Sequence, residues 1–224
     1  GVNSIEKIKD MMADSKAQKV LIITDKGVWN AGLIEKPLSI LQSCGIAVEV
    51  INNTPPEPEV AHIKEIFNAV KNRDCQMIIG IGGGSAMDVA KILAVLMTND
   101  NIVEELLGAD KFQNKGIPTL MIPTTAGTGA EATPNAIVLV PEEELKVGIV
   151  SNKLIPDYVI LDPIMTVKLP PAITASTGID ALTHAIECYI SLKANPFSDT
   201  FALSAIKLIA GSIREAFNNG GDLK

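Results

Sequence analysis

Asp180 and His184 stand four residues apart in TGIDALTHAIE, residues 177–187. On a helix of 3.6 residues per turn that spacing puts the carboxylate and the imidazole on one face, aimed at one point. An oxygen and a nitrogen donor so placed suit a divalent metal such as Fe2+ or Zn2+. A metal that does chemistry takes about three or more protein ligands. The other histidine, His62, falls in EVAHIKEIF, an early charged helix, and reads as a plain surface residue. Cys188, four residues beyond His184, is an alternative soft ligand, but with no second cysteine near it a small buried thiol fits better. The competing reading of the pair is a solvated helix face. Leu182, Ile186 and Ile190 form an apolar stripe, while Asp180, His184, Glu187 and Ser191 form a polar one.

Two loops carry a different chemistry. GIGGGSAMD, residues 80–88, falls where a strand turns into a helix. Its glycines permit close backbone approach, and the unpaired N–H groups and positive dipole end of the helix suit a phosphate or pyrophosphate. Ser85 is expected to cap the helix and to offer its hydroxyl to the phosphate. A tight turn with an ordinary cap is the alternative, although four glycines in five positions exceed what one turn needs. PTTAGTGAEAT, residues 123–133, follows another strand end, where ligands collect in open α/β sheets. Thr124, Thr125 and Thr128 can donate to phosphate or ribose, or the stretch is a polar loop rich in turn formers. The usual dinucleotide fingerprint places its glycine loop after the first strand and an acid about 20 residues later. Here the loop follows the third strand, and the acid at a strand end, Asp25, lies upstream.

The elements that must position these groups read as alternating strand and helix. Strands are expected at 19–25, 46–51, 76–81 and 117–123, with helices running to Ser43, over 60–70 and over 85–97. Apolar strands without alternation, joined by helical crossovers, predict a parallel sheet with helices on both faces. Shorter strands follow at 135–140 and 146–150, around an acidic PEEE turn, and at 158–163. From Ala172 onward two helical stretches, 172–192 and 196–217, replace strands. The fold class is therefore an α/β nucleotide-binding domain over 1–165, followed by part of an all-helical domain over 166–224.

Composition narrows the partners. The 224 residues are 47% hydrophobic and 20% charged, which suits a globular chain with a sizeable core. A net charge of −7, with 4% aromatics and no basic block, offers little to a phosphate backbone, so nucleic acid is not an expected partner. No run approaches the roughly 18 apolar residues of a membrane span. The start has no basic and apolar leader, and three widely spaced cysteines fit reduced thiols in the cytoplasm.

Together GGGSAMDVAK, PTTAGTGAEAT and GIDALTHAIECYIS resemble, in order, successive signatures of the iron-containing (metal-dependent) alcohol dehydrogenases. The resemblance covers essentially the whole chain. It implies a nucleotide-binding α/β domain, then a helical domain, with the active site in the cleft between them. Gly83, Gly84, Ser85 and Asp88 match the loop that holds the pyrophosphate. Thr124, Thr125 and Thr128 match residues near the phosphates and nicotinamide. Asp25 is similar to the acid that accepts from the adenosine ribose, which implies NAD over NADP because an acid repels a 2′-phosphate. Lys146 resembles a basic residue near the nicotinamide ribose, and Asn53 is a candidate for the adenosine end. Asp180 and His184 match the first two of four metal ligands. The other two, histidines in the family, are expected beyond Lys224, so that the chain is expected to be a fragment. The implied enzyme uses NAD and Fe2+ or Zn2+ on a small alcohol or aldehyde; separately, apolar surface on the helical part leads us to expect a homo-oligomer. A catalytically incomplete nucleotide-binding fragment, or a related-fold lyase or synthase using NAD, is the alternative.

Overall fold

Five parallel strands make the frame of the computed structural model, which describes residues 1–141 and 144–223. In chain order the strands are β1 (Lys19–Ile23), β2 (Ala47–Ile51), β3 (Met77–Gly82), β4 (Gly108–Ala109), β5 (Thr119–Pro123), β6 (Asn135–Val140), β7 (Leu145–Val150) and β8 (Tyr158–Val159). The main sheet runs β2-β1-β3-β5-β8, and a second, three-stranded sheet runs β4-β7-β6. The helices are α1 (Ile8–Ser15), α2 (Lys26–Asn30), α3 (Glu35–Ser43), α4 (Val60–Val70), α5 (Gly84–Leu96), α6 (Val103–Leu106), α7 (Pro171–Ile190) and α8 (Pro196–Asn218).

The continuous apolar runs have a simple cause. Successive side chains of a strand point to opposite faces, and both faces of this sheet are covered. Leu21, Ile23 and Ile78 pack with α5, whereas Val20, Ile22, Ile79 and Ile81 pack with Ile8, Ile40 and Leu41 from α1 and α3. Each fully buried Ile or Leu of this kind stabilises by about 1.5–3 kcal/mol relative to exposure. All six residues of β3 are buried, so the central strand is tightly held where it releases the glycine loop.

The structure changes several expectations. The single helical stretch up to Ser43 is two helices, because Gly32 takes φ 70°, which breaks the chain between α2 and α3. The strand expected at 158–163 shrinks to Tyr158–Val159, after which Asp162 Oδ1 caps a 3-10 turn through the Ile164 N–H. The acidic turn falls partly on Glu142 and Glu143, outside the described residues. On α7 the buried residues are Gly178 and Ala185, while Ile186 and Ile190 of the expected apolar stripe are exposed. Small residues there let α8 approach closely, and a side-chain carbon at Gly178 would lie 2.2 Å from Ile213. Asn195 starts α8 by accepting from the Phe197 and Ser198 N–H groups, with Pro196 at the first helical position.

Candidate functional site

The strand order reverses direction between β1 and β3, and ligands of open parallel sheets gather outside the strand ends at such a switch point. This removes the difficulty with the order of the glycine loop. β1 and β3 are hydrogen-bonded neighbours, so Asp25, just past β1, and the glycines ending β3 flank one crevice despite their distance in sequence. β5 lies on the other side of β3 and brings Thr124 and Thr125 to the same edge, where the Thr124 N–H donates to the Gly82 carbonyl at 2.9 Å.

Among the described residues no side chain caps α5, whose N-cap is Gly83, so the N–H groups of its first turn open on the crevice with the positive end of the helix dipole. Ser85 is therefore not the cap expected of it. It sits inside the first turn, and its Oγ accepts from the Glu57 N–H at 3.2 Å. Gly84 is held against the threonine loop, since an added side-chain carbon would stand 2.9 Å from both Thr128 Cγ2 and Oγ1. Asp25 Oδ1 caps α2 by accepting from the Val28 N–H at 2.9 Å.

Two adjoining cavities contain every candidate residue. The larger, about 740 Å3, is lined by Asp25, Asn53, Gly83, Gly84, Ser85, Thr124 and Thr125. Its opposite wall is the approach to α7, where Lys168 Nζ donates to the Ala31 carbonyl at 2.9 Å. The second cavity, about 480 Å3, shares Gly84 and Ser85 and adds Asp88, Thr128, Lys146, Asp180 and His184. A groove of this size and charge pattern can hold an extended dinucleotide, with its phosphates at the α5 N-terminus and one end beside the Asp180–His184 pair.

Asp88 and Lys91 stand apart from the open residues. Asp88 is 7% exposed, with Oδ2 accepting from the Ile137 N–H at 3.0 Å and Oδ1 buried without a partner among the described residues. Burial pushes its carboxyl up from 3.8 to about 6, against the opposing effects of that hydrogen bond and of Lys91. Lys91 is 1% exposed, and burial brings its ammonium down to about 8 against the attraction of Asp88 and Glu131. The Asp88 carboxylate thus serves β6 directly, although its residue lines the cavity.

His184 Nε2 lies 3.8 Å from Asp180 Oδ1, and the side chains are 55% and 44% exposed. The donor chemistry fits a divalent metal as a pair of ligands. Among the described residues no group of three or more His, Cys, Asp or Glu side chains converges there. Cys188 is exposed rather than buried, and His62 is not idle on the surface, since its Nδ1 accepts from the Glu59 N–H at 3.3 Å at the start of α4. Sequence reading missed Lys91 and Lys168. The signal for Lys91 was a cation three residues after an acid inside an otherwise apolar helix; Lys168 had none.

Residues 1–163 match the family model "Iron-containing alcohol dehydrogenase", and residues 174–224 match "Fe-containing alcohol dehydrogenase family, C-terminal". The chain is 40% identical over 209 residues to long-chain-alcohol dehydrogenase 1 of Geobacillus thermodenitrificans, covering 92% of this chain and 52% of that protein. The alcohol dehydrogenase of Oenococcus oeni superposes with a TM-score of 0.94 at 36% identity, over 100% of this chain and 59% of its own. Sulfoacetaldehyde reductase of Bifidobacterium kashiwanohense, solved in complex with NAD+, gives 0.89 at 31% identity, over 97% and 58%. The chain therefore spans little more than half the length of these proteins.

Proposed function

The chain belongs to the iron-containing alcohol dehydrogenase family, and on that premise we propose that its cleft binds NAD beside a divalent metal for hydride transfer between nicotinamide and a small alcohol or aldehyde. The observation that carries this reading is the convergence of the glycine loop, the threonine loop and the Asp180–His184 pair on two adjoining cavities. We assign residues 1–165 to nucleotide binding and 166–224 to a helical, metal-bearing part.

Each residue then has a task set by its place. The N–H groups at Gly83, Gly84 and Ser85 receive the pyrophosphate, where the helix dipole favours negative charge. Asp25 accepts from the adenosine ribose hydroxyls with Asn53 nearby, and its charge turns away a 2′-phosphate. Thr124, Thr125 and Thr128 donate along the phosphates and towards the nicotinamide, and Lys146 serves the nicotinamide ribose. By fixing the cofactor at both ends, these groups bring its reactive carbon within reach of the substrate. Asp180 and His184 hold the metal, Fe2+ or Zn2+, which when bound supplies Lewis acidity to an alcohol oxygen. No side chain lining the cavities is an obvious general base.

The Oenococcus and Bifidobacterium structures support an alcohol or aldehyde substrate and NAD as the cofactor. Three free cysteines support a cytoplasmic setting, and no helix among the described residues is long and apolar enough to cross a membrane. Large apolar side chains exposed on α7 and α8 support association into a homo-oligomer.

Metal titration tests the reading without relying on turnover. With two donors from α7 the chain should bind Zn2+ or Fe2+ weakly and show little dehydrogenase activity. D180A should weaken that metal binding by about tenfold or more while leaving NAD affinity intact. Metal affinity unchanged in D180A would remove the ligand assignment. Net NADH formation from simple alcohols would argue against a lyase or synthase.

A further inference from the structure

β6, the strand that leaves the threonine loop, has β7 on one edge and, among the described residues, no strand along the other. Side chains of α5 occupy that second edge. Lys91 Nζ donates to the carbonyls of Thr133 and Asn135 at 2.9 Å each and lies 3.4 Å from Thr133 Oγ1. Asp88 Oδ2 accepts from the Ile137 N–H at 3.0 Å. The Leu139 N–H then reaches the Pro58 carbonyl, also at 3.0 Å.

The pattern is ordered in polarity and in spacing. Alternate residues 133, 135 and 137 present backbone groups to one edge, while Asp88 and Lys91, three apart, share one face of their helix. The cation takes the carbonyls and the carboxylate takes the amide, which is what a neighbouring strand would do with its own N–H and C=O groups. A buried ammonium is costly unless its hydrogen bonds are made, so the side chain and the strand edge depend on each other.

We propose that Lys91, together with Asp88, is a positioning residue that stands in for a strand partner of β6 and thereby fixes the threonine loop against the glycine loop. The loop is then anchored at both ends. Thr124 is tied to Gly82 at its start, and Lys91 holds Thr133 and Asn135 at its exit. Between these anchors Thr128 rests on Gly84, so the spacing of the two loops follows from the Lys91 clamp. For its consequence on cofactor binding the inference rests on the NAD reading above.

K91M keeps the apolar stem and removes the ammonium. In the nucleotide-free K91M chain, amide hydrogen exchange should quicken over residues 124–137 while β1 and β3 keep wild-type rates. NAD affinity should fall about tenfold, the scale of one charge-assisted hydrogen bond. K91R, whose guanidinium can donate to the same carbonyls, should recover part of both effects. If K91M does not fold, K91Q, which keeps N–H donors without the charge, is measured in its place, with the same local change expected. Unchanged exchange over 124–137, a rise shared equally by β1 and β3, or no recovery in folded K91R would overturn the proposal. Absence of NAD binding by the wild-type chain would count against the functional reading alone, since exchange is measured without nucleotide.

Discussion

One carboxylate at the end of β1 serves both the local fold and the proposed choice of cofactor. Asp25 caps α2 and also lines the larger cavity. Substitution can separate the two roles. Asn keeps a capping oxygen without the charge, so D25N should stay within about 0.5 kcal/mol of wild-type stability, while D25A loses about 1 kcal/mol with the cap. Both should narrow the preference for NAD over NADP by roughly tenfold, because the repulsion of a 2′-phosphate is gone. Paired titrations with the two nucleotides check this, and an unchanged preference would take Asp25 out of that role. Asp88 makes a pH prediction. Its carboxyl is held up at about 6 against 3.8, so over that window the native chain keeps a proton that the unfolded chain has lost. Through this group stability falls as pH rises across the window. D88N cannot titrate, so its stability relative to wild type should climb by about 2–3 kcal/mol between about pH 4 and about pH 6, then level off. Denaturant melts across that range check it, and a flat difference would mean that the carboxylate is not desolvated.

Element by element, what the sequence revealed and what it hid have physical causes. β1, β3 and β5 were legible because unbroken apolar runs between loops have few other uses in a chain of this size. The glycine loop was legible as a strand-to-helix turn, the proposed phosphate cradle, yet its place beside Asp25 was not, because strand order is decided by crossovers that leave no local mark. The α2–α3 break depends on the one residue Gly32, and the exposed Ile186 and Ile190 depend on how α8 packs on α7, closely at Gly178. Neither is set by periodicity alone. The roles of the site residues came from their resemblance to a family, whereas the clamp by Lys91 came from the structure. The contact between the loops can be tested at Gly84. A methyl group there meets the Thr128 side chain at 2.9 Å, so G84A should push the loops apart at a cost of about 1–3 kcal/mol. It should also weaken NAD binding by about tenfold or more. Calorimetric titration and thermal melts check both effects; wild-type NAD affinity in G84A would show that the loops do not need that contact.

At the scale of the molecule, α7 and α8 lean chiefly on each other and leave a broad apolar surface. Phe197, Phe201 and Leu208 are each more than half exposed, as is Ile190. Patches of this kind mark association surfaces. Sedimentation velocity should show concentration-dependent self-association of the chain, reduced in the double variant F197E/F201E without loss of NAD binding. A wild-type chain that stays monomeric at all concentrations would contradict this. The proposed function has one logic: a parallel sheet whose switch point would hold a dinucleotide, and a helix whose Asp180 and His184 would bring two metal donors to the nicotinamide end. Calorimetric titration of the metal-free chain with NAD, with NADP in parallel, tests that claim most directly. One NAD should bind per chain, with NADP bound at least about tenfold more weakly. A flat NAD titration, or equal affinity for the two nucleotides, would contradict it.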